Sequence, residues 1–210
     1  MEKNNNPVLW YFADPMCSWC WGFSPVISEV KKNYADQIKI ALVMGGLQAG
    51  ESNVLSESSR EEIFHHWHQV EKTTRQHFLF ENALPEDFIY NTEPACRAVI
   101  TVGLIDSTKS FEYFTAIQAA FYTKNQDVTQ TSCLEQLAME CDINAEKFSA
   151  LFIDEKQHES AKKSFQFSQK AGVQGFPALI LNMNEQLHVV TRGYQDYGKI
   201  SASLDKLLST

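Results

Sequence analysis

The chain has 210 residues, 44% of them hydrophobic, with 18 basic against 26 acidic side chains and a formal charge of -8. That length and apolar share suffice for an ordinary buried core, and the acidic balance excludes the basic footprint that binds nucleic acid or an anionic membrane surface. No apolar run approaches the roughly 20 residues a membrane span needs, and the start MEKNNNPVLW lacks a basic segment followed by a long apolar one, so the expectation is a soluble, cytoplasmic protein.

Val8 to Phe12 is an apolar and aromatic run bounded by Pro7 and by Asp14-Pro15, the pattern of a buried strand. It leads into ADPMCSWCWGF, Ala13 to Phe23, where Cys17 and Cys20 stand three positions apart. Beyond them Phe23, Val26, Ile27, Val30 and Tyr34 recur at helical spacing, which places Cys20 and the residues after it in a helix lasting to about Tyr34. Pro25 removes one backbone bond from that helix, so it predicts either a kink near Trp21 or a later start of the regular part. Ile38 to Met44 reads as a second strand, ended by Gly45-Gly46. Strand, helix and strand in this order give a parallel pair with a right-handed crossover.

From Ser56 to about Ala171 the periodicity turns helical. Ser58 to Glu61 resembles a capping box that opens a helix carrying Ile63, Trp67 and Val70 on one face. Asn91 and Thr92 are good capping residues ahead of Pro94 and an apolar helix, Ala95 to Leu104. Further helices are predicted over Phe111 to Tyr122, Ser132 to Glu140 and Ala145 to Phe152, with Gly172 as the terminal glycine of the last long one. Strand signals resume at Ala178 to Leu181 and Leu187 to Thr191, joined by a hairpin over Asn182 to Gln186, and a closing helix spans Tyr197 to Leu208. The expected division is a unit of residues 1–55 with 172–210 and an inserted helical domain, 56–171.

Residues i and i+3 at a helix start face the same way, so a disulfide between Cys17 and Cys20 can close and reopen with little backbone movement. Five cysteines is an odd count in a chain too long to need a disulfide framework, which favours free thiols in a reducing compartment. Placed at the helix N-terminus among unpaired N–H groups, Cys17 is the expected nucleophile, and Cys20, one turn inward, resolves the mixed disulfide. A CxxC pair beside a strand-helix-strand unit is the redox form of the motif.

With these features the chain resembles the DsbA-like thioredoxin superfamily. The match is carried by Cys17-Ser-Trp-Cys20 after the first strand, Gly175-Phe-Pro177 before the third, and Asn91-Thr92 at the head of an insert helix, and it covers the whole length. The resemblance implies an α/β, thioredoxin-like fold with a helical domain inserted after the second strand, and a cis Pro177 beside the cysteines. It implies a thiol-disulfide oxidoreductase, protein-disulfide isomerase-like, acting on protein or small-molecule thiols and disulfides. The strongly oxidising relatives carry a histidine between the cysteines, where this chain has Ser18 and Trp19, so an intermediate potential is expected. The alternative is a glutathione-dependent isomerase or transferase of the same architecture. In that branch a lone serine commonly replaces the cysteine pair, and the intact pair favours the first reading.

Trp19 and Trp21 are the candidate substrate platform, with core packing as the alternative for either, and Phe176 and Pro177 the opposite wall. Asp14 is read as a turn residue capping the helix start ahead of Pro15, in preference to a proton shuttle. His65 and His68 share a helix face, and His77 comes later, but metal sites want three or four convergent donors and a polar face of an amphipathic helix explains them, so no metal is expected. Cys133 and Cys141 would stand about 12 Å apart on one helix, beyond disulfide reach, and read as buried thiols. Cys96 is expected to line the helix beneath the pair. No cofactor is expected, with glutathione as a candidate redox partner.

Overall fold

In the computed structural model, which describes residues 7–209, β1 (Val8–Ala13) runs parallel to β2 (Lys39–Met44), with Val8 opposite Lys39. On its other side β1 pairs antiparallel with β3 (Ala178–Met183), and β3 pairs antiparallel with β4 (Gln186–Arg192). The sheet order is therefore β2-β1-β3-β4. The β1 run is continuously apolar because the strand is central and covered on both faces. Trp10 and Phe12 meet Phe167 at ring distances of 4.9 and 5.7 Å, while Tyr11 faces Phe23 and Phe114. Edge strand β4 leaves Leu187 and Val189 about half exposed. Its hairpin turn is tighter than expected, with Asn184 and Glu185 both at positive φ. The first six residues of the start MEKNNNPVLW lie outside the described residues.

Helix α1 spans Ser18–Tyr34 and runs through Pro25, so its regular part begins ahead of the proline. Proline at position 25 leaves the Trp21 carbonyl without its helical donor. Gln76 takes that place, its Nε2 donating to Trp21 O at 3.1 Å and to Ser24 Oγ at 2.7 Å.

Six α-helices lie between β2 and β3: α2 (Glu57–Thr74), α3 (Glu93–Ile105), α4 (Ser110–Lys124), α5 (Thr131–Glu140), α6 (Ala145–Phe152) and α7 (Glu155–Lys170). Helix α2 starts earlier than the Ser58 to Glu61 box predicts. Ser56 holds extended backbone angles and its Oγ accepts from Ser59 N, which makes it the cap. Gly172, at φ +73, ends α7 as expected. Helix α8 (Tyr197–Leu208) closes the chain against α1, where Tyr34 Oη donates to Asp205 Oδ1 at 2.6 Å. Gly22 brings α1 against α2, since a Cβ there would stand 2.7 Å from Val70 Cγ1. Trp67 is fully buried among Phe64, Phe78, Phe80, Phe121 and Tyr122 and forms the centre of the insert. Among the described residues no helix is long and apolar enough to cross a membrane.

Candidate active site

The tight turn at the end of β1 sets the first cysteine. Asp14 Oδ1 accepts from Met16 N at 2.9 Å, and Cys17 N donates to Asp14 O at 3.1 Å. Cys17 then becomes the N-cap of α1 in extended conformation, its carbonyl accepting from Cys20 N and Trp21 N. No side chain caps this end, so Asp14 is the turn residue the sequence suggests and not the helix cap. The open N-terminus leaves unpaired N–H groups and the positive end of the dipole beside the sulfur.

Across from it, the Phe176-Pro177 peptide is cis, as the resemblance implied. Its carbonyl oxygen faces the pair, and Cys17 Sγ donates to Phe176 O at 3.6 Å. The glycines after β2 make this approach possible. A Cβ on Gly45 would fall inside the Phe176 ring, and one on Gly46 would stand 2.8 Å from Phe165.

Cys17 opens into a groove of about 860 Å³. Trp19 and Phe176 line it, half-buried, Trp19 resting 5.8 Å from the Tyr194 ring. Two expected wall residues do not line it. Trp21 turns inward because its indole finds a partner there: Nε1 donates to His77 O at 3.0 Å and the ring stacks on Tyr122 at 6.1 Å. Pro177 is buried behind Phe176, its carbonyl accepting from Gly193 N at 2.8 Å. No local pattern marks the remaining walls, which come from Leu47, Val54 and the α2 residues Ile63 and Trp67.

Beneath the groove lies a buried polar layer. Cys20 is fully buried, and burial, reinforced by the neighbouring Cys17 sulfur, pushes its thiol well above the ordinary value. Asp14 is equally buried and its carboxyl is raised, burial outweighing the N–H bonds from Leu47 (2.7 Å) and Met16. Cys96 is buried against Asp14, its Sγ 3.3 Å from Asp14 Oδ2, and burial with that carboxylate pushes its thiol well up. Thr92 stands at the N-cap of α3 without a side-chain capping bond, and both residues tie the rim: Asn91 Oδ1 accepts from Gly50 N and Glu93 N, and Thr92 Oγ1 from Gln48 N. His68 stacks on Phe80 and His65 meets Gln69; among the described residues no three potential ligands converge on a metal position. Cys133 and Cys141 lie on α5 and at its C-cap, the first with its thiol raised by burial to about 11.

The profile of the thioredoxin family matches residues 10–201. A solved structure from Nitrosomonas europaea, of a protein assigned in name only as a protein disulfide isomerase, is 42% identical, covers 97% of this chain and 98% of its own, and superposes with a TM-score of 0.93. The cytosolic disulfide reductase DsbM of Pseudomonas aeruginosa shares the fold at 22% identity and TM-score 0.80, over 96% of this chain and 98% of its own. Among curated proteins, the ClpXP adapter protein SpxH of Halalkalibacterium halodurans is 22% identical over 152 residues, 70% of this chain. The match spans about half of that relative, 49% of its length. With the helix-start cysteine, the cis proline opposite and the helices between β2 and β3, the chain belongs to the thioredoxin family and shares the fold of the DsbA-like proteins.

Proposed function

We propose that Cys17 and Cys20 are the redox pair of this oxidoreductase and that its substrates are disulfides presented in the groove above Cys17. The observation that carries this is the asymmetry of the two sulfurs: Cys17 lines the groove at the helix N-terminus, while Cys20 is sealed below it and held as a thiol. In the reducing direction the Cys17 thiolate attacks one sulfur of the substrate disulfide, forming a mixed disulfide and releasing one substrate thiolate. Cys20 then loses its proton and attacks the Cys17 sulfur, closing the internal disulfide and releasing the second thiolate. Two electrons pass to the substrate, and the reverse sequence oxidises a dithiol.

Trp19 and Phe176 flank the attacked sulfur, and Pro177 supports Phe176 from behind. We take residues 1–55 with 172–210 as the redox unit and 56–171 as an inserted domain, which supplies the α2 wall. DsbM has also been solved with GSH, which supports glutathione as a small thiol partner, and its cytosolic setting supports a cytoplasmic one here. A glutathione-dependent isomerase needs no resolving thiol, and the buried Cys20 weighs against it.

The test is Cys20→Ser. It should accumulate mixed disulfides through Cys17, read by mass spectrometry under non-reducing conditions, while Cys17→Ser accumulates none. Absence of any adduct, together with tight noncovalent binding of glutathione to the unaltered protein, would favour the isomerase.

A further inference from the structure

Besides one histidine, the charged residues that line the groove are all acidic. Glu51 and Glu62 reach it, His66 stands beside Glu62 with Nε2 4.0 Å from Oε1, and among the described lining residues there is no lysine or arginine. The Glu51 carboxylate is fixed: its Oε1 accepts from Ser52 N and Asn53 N at 2.8 Å and from Asn53 Nδ2 at 2.9 Å. Arg60, one turn into α2, spends its guanidinium on the carbonyls of Leu84 and Pro85. The rest of the lining mixes apolar with uncharged polar side chains, and two of its apolar rim side chains, Leu47 (41% exposed) and Val54 (53%), face solvent.

We infer that the groove selects disulfides in cationic, partly apolar peptide segments, with Glu51 and Glu62 as the specificity-determining residues. This rests on the redox reading above and names its substrate class. A lysine or arginine within a few residues of the substrate cysteine meets the two carboxylates, while an apolar neighbour covers Leu47 and Val54. Glutathione fits this lining less well than such a peptide, having more carboxylates than ammonium groups and no cation here to receive them. The reaction is the exchange already described: the Cys17-Cys20 dithiol is oxidised to its disulfide and the peptide disulfide is reduced to two thiols.

The experiment is a single-turnover measurement of the reduced full-length protein against four disulfides. Three are peptides identical except for flanking lysine, serine or glutamate pairs, and the fourth is glutathione disulfide. At low salt the lysine peptide should react about three- to tenfold faster than the glutamate peptide, with glutathione disulfide among the slowest. The ratio should shrink at roughly 1 M salt, where the screening length is about 3 Å. Glu51→Gln with Glu62→Gln should bring the ratio close to one, and Glu62→Gln alone, on an exposed helix face, should lower it without disturbing the Glu51 turn. Equal rates, or a faster glutamate peptide or glutathione disulfide, would overturn the inference and leave the redox function standing. Failure to reduce any of the four would overturn the redox reading, and this inference with it.

Discussion

Replacing Gln76 with alanine tests whether this residue repairs the redox helix. Pro25 deprives the Trp21 carbonyl of its donor, and Gln76 Nε2 supplies one at 3.1 Å while also reaching Ser24 Oγ at 2.7 Å. A hydrogen bond of this kind contributes about 0.5–1.5 kcal/mol net, so Gln76→Ala is expected to cost about 1–3 kcal/mol. Pro25→Ala restores an N–H four residues beyond Trp21, in position to take over that carbonyl. In this background Gln76→Ala forfeits chiefly the Ser24 bond, and its cost should fall to about 0.5–1.5 kcal/mol. Urea unfolding of the four proteins of the cycle gives these costs from the midpoints. Thermal unfolding should agree at about 2–4 °C per kcal/mol for a chain of this size. Equal costs of Gln76→Ala in both backgrounds would refute the account, because the glutamine would then not stand in for the missing helical bond.

Asp14→Asn should destabilise the fold by about 1–3 kcal/mol, since the NH2 of the amide would point its hydrogens at one of the two backbone donors, Met16 N and Leu47 N, that the Asp14 oxygens face. Burial raises the Asp14 carboxyl, so its share of stability is full below the unfolded carboxyl value and is lost as pH rises through the folded one. The deficit of the variant in urea midpoint should therefore narrow from pH 4 upward, and a widening deficit would contradict this sign. Gly45→Ala drives a methyl into the Phe176 ring and should cost about 1–3 kcal/mol with a loss of disulfide-reducing activity that exceeds the loss of folded protein. Activity per folded molecule that matched the unaltered protein would show that the Phe176 position is immaterial. Cys133→Ser and Cys141→Ser should leave reduction rates within about twofold, their thiols lying on and after α5, away from the groove; a complete loss in either would displace the assignment of Cys17.

The sequence by itself determined much of what acts within a few residues. The central strand was legible because both its faces are buried and it therefore carries no polar alternation. The helix that presents Cys20, the glycine that ends α7 and the hairpin of β3 with β4 were legible for the same reason, since periodicity and turn chemistry are local. The pairing of Cys17 with the peptide before Pro177 was reached through resemblance, the two being 159 residues apart along the chain. Tertiary structure alone decided between the two tryptophans. Trp19 and Trp21 are equivalent as neighbours of a cysteine, and only the arrival of His77 O and Tyr122 draws Trp21 inward and leaves Trp19 on the groove. It decided, too, that Pro25 could stay inside α1, because the compensating amide comes from Gln76, beyond the end of another helix. The groove walls, their two carboxylates and the burial of Asp14 likewise depend on which distant segments meet, which side-chain shape and long-range contact settle and no local pattern encodes.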